Sequence, residues 1–234
     1  MKSILKFEYE LWEKNGAFPI GIDEAGRGPL AGPVVAAAAV LRNLEFAISN
    51  LDKNNNPNCQ LLFANYNLIR DSKTLSEKQR EKLFDFIHEN FHVGIGICDH
   101  KTIDRINILE ASFLAMKKAV ASLKRNSKLL ISNSDPNYKL PITNCIILVD
   151  GNKTIPNFSM EQRAVVSGDK IIKSISAASI IAKVTRDRIM LEMDKVYPEY
   201  GFKKHKGYGT KLHMEMIKKY GPCEIHRRSF KPCA

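Results

Sequence analysis

A chain of 234 residues, 44% of them hydrophobic, can bury a full core, which excludes disorder as its default state. Its formal charge of +11, from 36 Lys and Arg against 25 Asp and Glu, suits a polyanionic partner, nucleic acid first and an anionic membrane second. Cys59, Cys98, Cys145, Cys223 and Cys233 never form a C-x-x-C pair, which argues against a zinc ribbon or a disulfide framework.

In chain order, Met1 to Gly16 spaces Leu5, Tyr9 and Trp12 among acids and lysines, the pattern of a short amphipathic helix stopped by Gly16. Ile20 to Asp23 reads as a short buried strand, ended by the glycines and prolines from Gly26 to Pro33. Val34 to Leu41, small and apolar throughout, predicts a buried strand beside it but is far too short to span a bilayer. Met1 to Phe7 lacks a signal-peptide core, so the expected location is the cytoplasm, with no membrane attachment. Asn43 to Asn67, rich in asparagine, predicts a surface excursion. Asp71 Ser72 Lys73 then precedes a helical pattern over Thr74 to Asn90, with Leu83, Phe84 and Ile87 on one face and Ser76 as N-cap.

Phe91 to Cys98 alternates as a strand, and Ile103 to Leu123 is a long amphipathic helix. Lys124 to Pro141 is a polar connection leading to the compact strand Cys145 to Val149, which ends in Asp150 Gly151. Gln162 to Val166 predicts a further short strand running into Ser167 Gly168 Asp169. A helix from Ser174 begins buried on most faces and turns basic at Lys183, Arg186 and Arg188 before Pro198. The end of the chain gathers Lys203, Lys204, His205, Lys206, Tyr208, Lys211, Arg227, Arg228 and Lys231 within about thirty residues.

The stretch from Gly21 to Pro33 sets two acids and an arginine in a run otherwise apolar or glycine. On a regular strand Asp23 and Glu24 point to opposite faces. Both serve one point only if the pleat breaks or one of them contributes its backbone carbonyl. Adjacent carboxylates repel, and a hard divalent cation is the usual way to keep both ionised; pairing with Arg27 is the plainer alternative. Asp150 and Asp169 repeat the pattern of an acid beside glycine, with turn capping as their plainer role. Four such acids brought together can hold two Mg²⁺ ions roughly 4 Å apart, the arrangement for in-line displacement at phosphorus.

Rival chemistries are weaker. His88 Glu89 Asn90 Phe91 His92 matches H-E-x-x-H, but a strand starts at Val93, too early for one helix to hold both histidines; they read as exposed residues at a helix end. His205, His213 and His226 lie among cations, where phosphate contact or solvation is expected. Lys73, just ahead of a helix, is either a phosphate contact or a solvated lysine. There is neither a G-x-S-x-G elbow nor a P-loop G-K-[ST].

Gly21 to Val34, Asp71 Ser72 Lys73, Val149 Asp150 Gly151, Gly168 Asp169, Ser176 to Asp187 and His205 to Thr210 together closely resemble bacterial ribonuclease HII, from about Pro19 to the tail Ile225 His226 Arg227 Arg228 Ser229 Phe230. The resemblance implies an α/β, ribonuclease H-like fold, a mixed central sheet flanked by helices with a small helical C-terminal part. It implies one catalytic domain over 1–234, with a core at about 17–198 and a basic helical part at about 199–234. The implied activity is endonucleolytic hydrolysis of RNA in RNA–DNA hybrids and of duplex DNA on the 5′ side of single embedded ribonucleotides. Two Mg²⁺ or Mn²⁺ ions would serve it, leaving 3′-hydroxyl and 5′-phosphate ends. By the same resemblance Asp23, Glu24, Asp150 and Asp169 bind the metal and catalyse, and Gly26, Arg27 and Gly28 recognise the ribose 2′-hydroxyl, largely through backbone groups. Tyr208 stacks on a neighbouring sugar, and Lys73 and Lys206 contact phosphates. The expected partners are these nucleic acids, with the protein acting as a monomer. A non-catalytic hybrid-binding module would lack one of the acids, and all four are present. Asp187 also follows a family-like run, but it falls within the predicted helix between Arg186 and Arg188, which suits an ion pair. The segments near Asn54 to Asn58 and Lys128 to Pro141 look longer than the family pattern.

Overall fold

An unbroken run of small apolar residues sets the centre of the molecule. In the computed structural model, which describes residues 5–42, 65–131 and 145–233, strand β1 (Phe18–Ala25) pairs antiparallel with β2 (Val34–Leu41), and β2 pairs antiparallel with β3 (Phe91–Cys98). On the other side β1 runs parallel to β4 (Cys145–Asp150), and β4 parallel to β5 (Gln162–Val165), giving a mixed sheet of order β3-β2-β1-β4-β5. Every residue of β2 is buried, as expected of a strand covered on both faces.

Helix α1 (Lys6–Asn15) precedes the sheet. Between β2 and β3 come a 3₁₀ turn at Ser72–Thr74 and α2 (Glu77–Asn90); after β3 come α3 (His100–Ile106) and α4 (Ile108–Ile131). Past β5 the chain forms α5 (Gly168–Ile171), α6 (Lys173–Val196), a 3₁₀ turn at Pro198–Tyr200, α7 (Phe202–His205) and α8 (Lys211–Tyr220). Ile20, Ile22, Ala36 and Ala38 face α4, packing with Ala115, Ala119 and Leu123. Ala37 and Ala39, on the opposite face, pack with Ala177, Ala178 and Ile181 of α6. Gly21 is where α6 comes closest: a Cβ there would stand 2.1 Å from the Ser174 carbonyl carbon, so only glycine lets the helix lie on β1.

The sheet and the major helices follow the expected pattern, and the departures have local causes. Ser76 forms the expected capping box with Gln79 at the start of α2. Helix α2 ends at Asn90 and His92 lies in β3, 5% exposed, so the H-E-x-x-H residues do not share a helix and His92 is not the exposed residue expected. Helix α4 continues past Leu123, because Asn126 donates to the Val93 carbonyl (3.0 Å) and ties the added turns to β3. Residues 65–68 are helical, with the Tyr66 ring 5.3 Å from that of Phe86, where a surface excursion was expected. The rest of that segment, residues 43–64, and residues 132–144 of the second polar connection lie outside the described residues. Leu5, just before α1, is buried; within α1 Tyr9 is half-buried and Glu8 buried completely, and the Trp12 side chain lies outside the described residues. Glu8 accepts from the Ser174 amide at the start of α6 (2.9 Å). No helix among the described residues is long and apolar enough to cross a membrane.

The C-terminal histidines correct the expectation of phosphate contact or solvation. His205, His213 and His226 are buried, His205 stacked on His213, with Tyr200 and Phe202 packed against the group edge-on or tilted. His213 Nδ1 lies 2.9 Å from the Tyr208 carbonyl, so it carries the proton, and its Nε2 accepts from His226 Nε2 (3.0 Å). His226 Nδ1 is then left to accept from the Cys223 thiol (3.1 Å). Burial pushes both imidazoles down, to about 4. The unfolded chain titrates near 6.5, so this neutral stack stabilises the fold fully above that pH and progressively less as pH falls toward 4. Thermal melts are expected to show Tm falling between pH 6.5 and 5, with a shallower fall in His226→Gln; identical slopes would contradict the assignment.

Candidate active site

Strand register brings the acids together. Strand β1 stays paired with β2 through Ala25, and Ile22 lies opposite Val149 in β4, so Asp23 and Asp150 stand side by side on neighbouring parallel strands. Asp169 comes from the first turn of α5, where its amide reaches Asp150 Oδ1 (3.4 Å) and its carbonyl accepts from Ser176 (2.7 Å). One carboxylate oxygen each from Asp23, Asp150 and Asp169 lie within 4.8 Å of one another.

That proximity shapes their acidity. Burial, then the charges of Glu24 and Asp150, push the Asp23 carboxyl well above the usual carboxylate range. Asp169 is raised by burial, then by Asp150 and Asp71. Lys73 is the nearby cation, its Nζ 4.0 Å from Asp169 Oδ2, but its side chain is 81% exposed. Burial lowers the Lys73 pKa, and the summed charges of Asp71, Asp169, Asp23 and Asp150 outweigh it to leave the pKa raised. Three crowded carboxylate groups with one solvated lysine are a donor set for a hard divalent ion, which takes oxygen ligands and offsets the repulsion among them.

Glu24 does not join the three. The pleat does not break at β1, so the Glu24 side chain projects toward α4, lining a cleft with Ser112, Phe113 and Met116. Its Oε1 accepts from Arg27 (3.2 Å). Burial raises its pKa, Arg27 opposes the shift and Asp150, which borders the same cleft, adds to it. Asp187 is also apart, pairing with Lys183 (2.7 Å) and Arg80 (3.9 Å). It is the ion-paired residue expected, but with other partners than Arg186 and Arg188.

The glycine-rich loop is built by two arginines that are 0% exposed. Arg227 donates through Nη2 to the Gly26 carbonyl (2.6 Å), through Nη1 to that of Arg27 (3.0 Å) and through Nε to that of Gly32 (3.0 Å). Arg186 donates to the carbonyls of Pro33 (3.0 Å), Ala31 (3.1 Å) and Lys206 (3.0 Å). Gly26 has φ +99°, and a Cβ there would stand 2.2 Å from Arg186 Nε, so this position needs glycine on both counts. In a trans peptide the N–H points opposite to the C=O. With the Gly26 and Arg27 carbonyls held inward, the amides of Arg27 and Gly28 turn outward.

Tyr208 closes this side of the site. The residue is 43% exposed; a Cβ on Gly28 would be 3.8 Å from its ring, whose centroid has Arg186 at 5.8 Å and Lys183 at 5.9 Å. Lys206 Nζ folds back onto the Lys203 carbonyl (2.6 Å). Asp71 and Ser72, quoted in the sequence only as part of the resemblance, take definite roles here, Asp71 anchoring the Lys73 amide (2.9 Å) and Ser72 pairing its hydroxyl with that of Ser179 (2.9 Å); the structural role of Arg186 and Arg227 had not been foreseen. The signal available for the arginines was their density, and it pointed outward to phosphates.

A mixed five-stranded sheet with acids at adjoining strand ends is a ribonuclease H-like architecture. Ribonuclease H2 from Pyrococcus horikoshii OT3 shares it with a TM-score of 0.58 and 28% identity, over 92% of this chain and 95% of that one. Bst-RNase HIII in complex with Mn²⁺ shares the fold with a TM-score of 0.60 and 16% identity, over 93% of this chain and 68% of that one. A family model described as Ribonuclease HII matches residues 20–233. Ribonuclease HII of Acetivibrio thermocellus is 49% identical over 225 residues, 96% of this chain and 73% of that protein. Ribonuclease HII of Fusobacterium nucleatum is 46% identical over 223 residues, 95% of this chain and 88% of that protein. The chain belongs to the ribonuclease HII family: it is a hydrolase, an endoribonuclease acting on RNA in RNA–DNA hybrids, and depends on a divalent metal.

The raised Asp23 pKa means that the metal-free fold binds its proton more readily than the unfolded chain, so metal-free stability declines as pH rises above the ordinary carboxylate range. Asp23→Asn removes that charge. In EDTA at neutral pH the variant is expected to melt about 2–4 °C above wild type. Mn²⁺ should raise the Tm of wild type, by binding the native state, more than that of the variant. A variant that melts lower in EDTA and keeps the full response to Mn²⁺ would contradict this reading.

Proposed function

We propose that this protein cuts the RNA strand of hybrids, and duplex DNA on the 5′ side of single embedded ribonucleotides, leaving 3′-hydroxyl and 5′-phosphate ends. The observation that carries this is the meeting of the Asp23, Asp150 and Asp169 oxygens within 4.8 Å. Asp23, Asp150 and Asp169 would hold the metal, with Glu24 bordering it across Asp150 from the α4 side. Two Mg²⁺ or Mn²⁺ ions bound there would supply activation of a water at neutral pH and charge stabilisation at the leaving oxygen.

The chain's own groups orient the substrate. The outward amides of Arg27 and Gly28, beside Gly26, meet the ribose 2′-hydroxyl, the group by which RNA is told from DNA. Tyr208, half exposed beside Gly28, offers an apolar face to the adjoining sugar. Lys73 and Lys206 bind backbone phosphates, Lys73 also lying 4.0 Å from Asp169 and so able to draw a phosphate toward the acids. The chain works as one catalytic domain over residues 1–234, a cytoplasmic monomer whose basic part from about residue 199 follows the duplex.

A duplex carrying one embedded ribonucleotide tests this directly. Wild type with Mg²⁺ should leave a 3′-hydroxyl end at the junction. Asp23→Asn should be slower by about a thousandfold or more, the order expected when a catalytic group is removed, while Asp187→Asn should keep most of the activity. Equal cutting by wild type and Asp23→Asn, or none by wild type, would overturn the assignment.

A further inference from the structure

Arg227 is buried without an ion-paired carboxylate among the described residues; its donors go to main-chain oxygens instead. Nη2 reaches the carbonyls of both Gly26 (2.6 Å) and Pro33 (3.2 Å), Nη1 that of Arg27 and Nε that of Gly32. Burying a cation in this way is costly, and Arg186, a second buried cation, shares the Pro33 carbonyl. Packing alone does not call for a guanidinium here. Its planar fork of five N–H donors is the side chain that can engage several converging carbonyls at once, which a lysine ammonium on a flexible stem cannot reproduce.

The tail itself is docked independently of that side chain. Gly32 donates to the Ile225 carbonyl (2.9 Å), Arg227 donates its own amide to the Leu30 carbonyl (2.8 Å), and Ala31 and His226 form an antiparallel bridge. What the guanidinium adds is the orientation of two peptide planes, Gly26–Arg27 and Arg27–Gly28, at the start of the loop.

We infer that Arg227 is a positioning residue for ribose recognition: by drawing the Gly26 and Arg27 carbonyls inward it presents the Arg27 and Gly28 amides to the 2′-hydroxyl, and thereby sets the preference for a ribonucleotide over a deoxyribonucleotide. This rests on the proposed role of the Gly26 to Gly28 loop. Arg227 touches no substrate; it acts through the loop's backbone.

Binding of two duplexes of one sequence, one with a single ribonucleotide and one all DNA, measured with Ca²⁺ in place of the catalytic ion, tests the inference. Arg227→Lys keeps the charge and the docked tail. It should lose about tenfold of the wild-type preference for the ribonucleotide duplex, the worth of one or two hydrogen bonds, with affinity for all-DNA duplex unchanged. Retention of the preference, or an equal fall in both affinities, overturns the inference while leaving the loop's role standing. A wild type that does not distinguish the duplexes overturns the loop's role, and the inference with it. If Arg227→Lys does not fold, amide exchange in wild type decides. The Arg27 and Gly28 amides should exchange freely in the unbound protein and slow only with the ribonucleotide duplex; protection without nucleic acid overturns the geometry.

Discussion

Three carboxylate side chains held against one another, two of them nearly sealed from solvent, are the constraint on which the architecture depends. Water would keep them apart, and burial raises the free energy of the charged forms of Asp23 and Asp169. Covalent and hydrogen-bonded geometry forces them together all the same. Parallel pairing of β1 with β4 fixes Asp23 beside Asp150, and the short helix after β5 returns Asp169 to the same point. Helix α6 then lies over β1, admitted by Gly21, and its Ser176 holds the Asp169 backbone. A cation with a compact double charge, taking oxygen ligands, would offset that repulsion.

The cations of the chain divide into two populations. Lys73 is solvated, with its Nζ beside Asp169. Arg186 and Arg227 are sealed inside and spend their donors on carbonyl oxygens, shaping the loop that continues from β1. The formal charge of +11 therefore overstates the surface available to a polyanion. The same correction holds for His205, His213 and His226, which are neutral and stacked inside the basic part of the chain.

Much of this was legible in the residues because local rules decide it. Uniform small apolar character marked β2, Ser76 and Gln79 marked the start of α2, and acids beside glycine marked three ends that the fold brings to one place. The regular pleat of β1 was the harder question, since composition alone does not say whether glycines downstream break it; the strand stays paired through Ala25, and Asp23 and Glu24 diverge. Long-range partners left no local signal. Nothing near Arg227 in sequence announces that its guanidinium belongs to carbonyls around Gly26, and nothing near Glu8 announces that it serves the first turn of α6. Burial of polar groups follows from tertiary partners, and a density of lysine and arginine hides which of them turn inward.

The bond from Arg227 to the Gly26 carbonyl joins residues 201 positions apart. During synthesis the acids of β1 emerge early, and those of β4 and α5 follow, so the acidic cluster can assemble on a nascent chain. The neighbouring loop has to wait for its clamp, which is translated only after α8 is complete. A ribosome stalled between the two would carry the clustered acids without the Arg227 clamp, so the Gly26 to Gly28 loop is tied down later than the acids beside it.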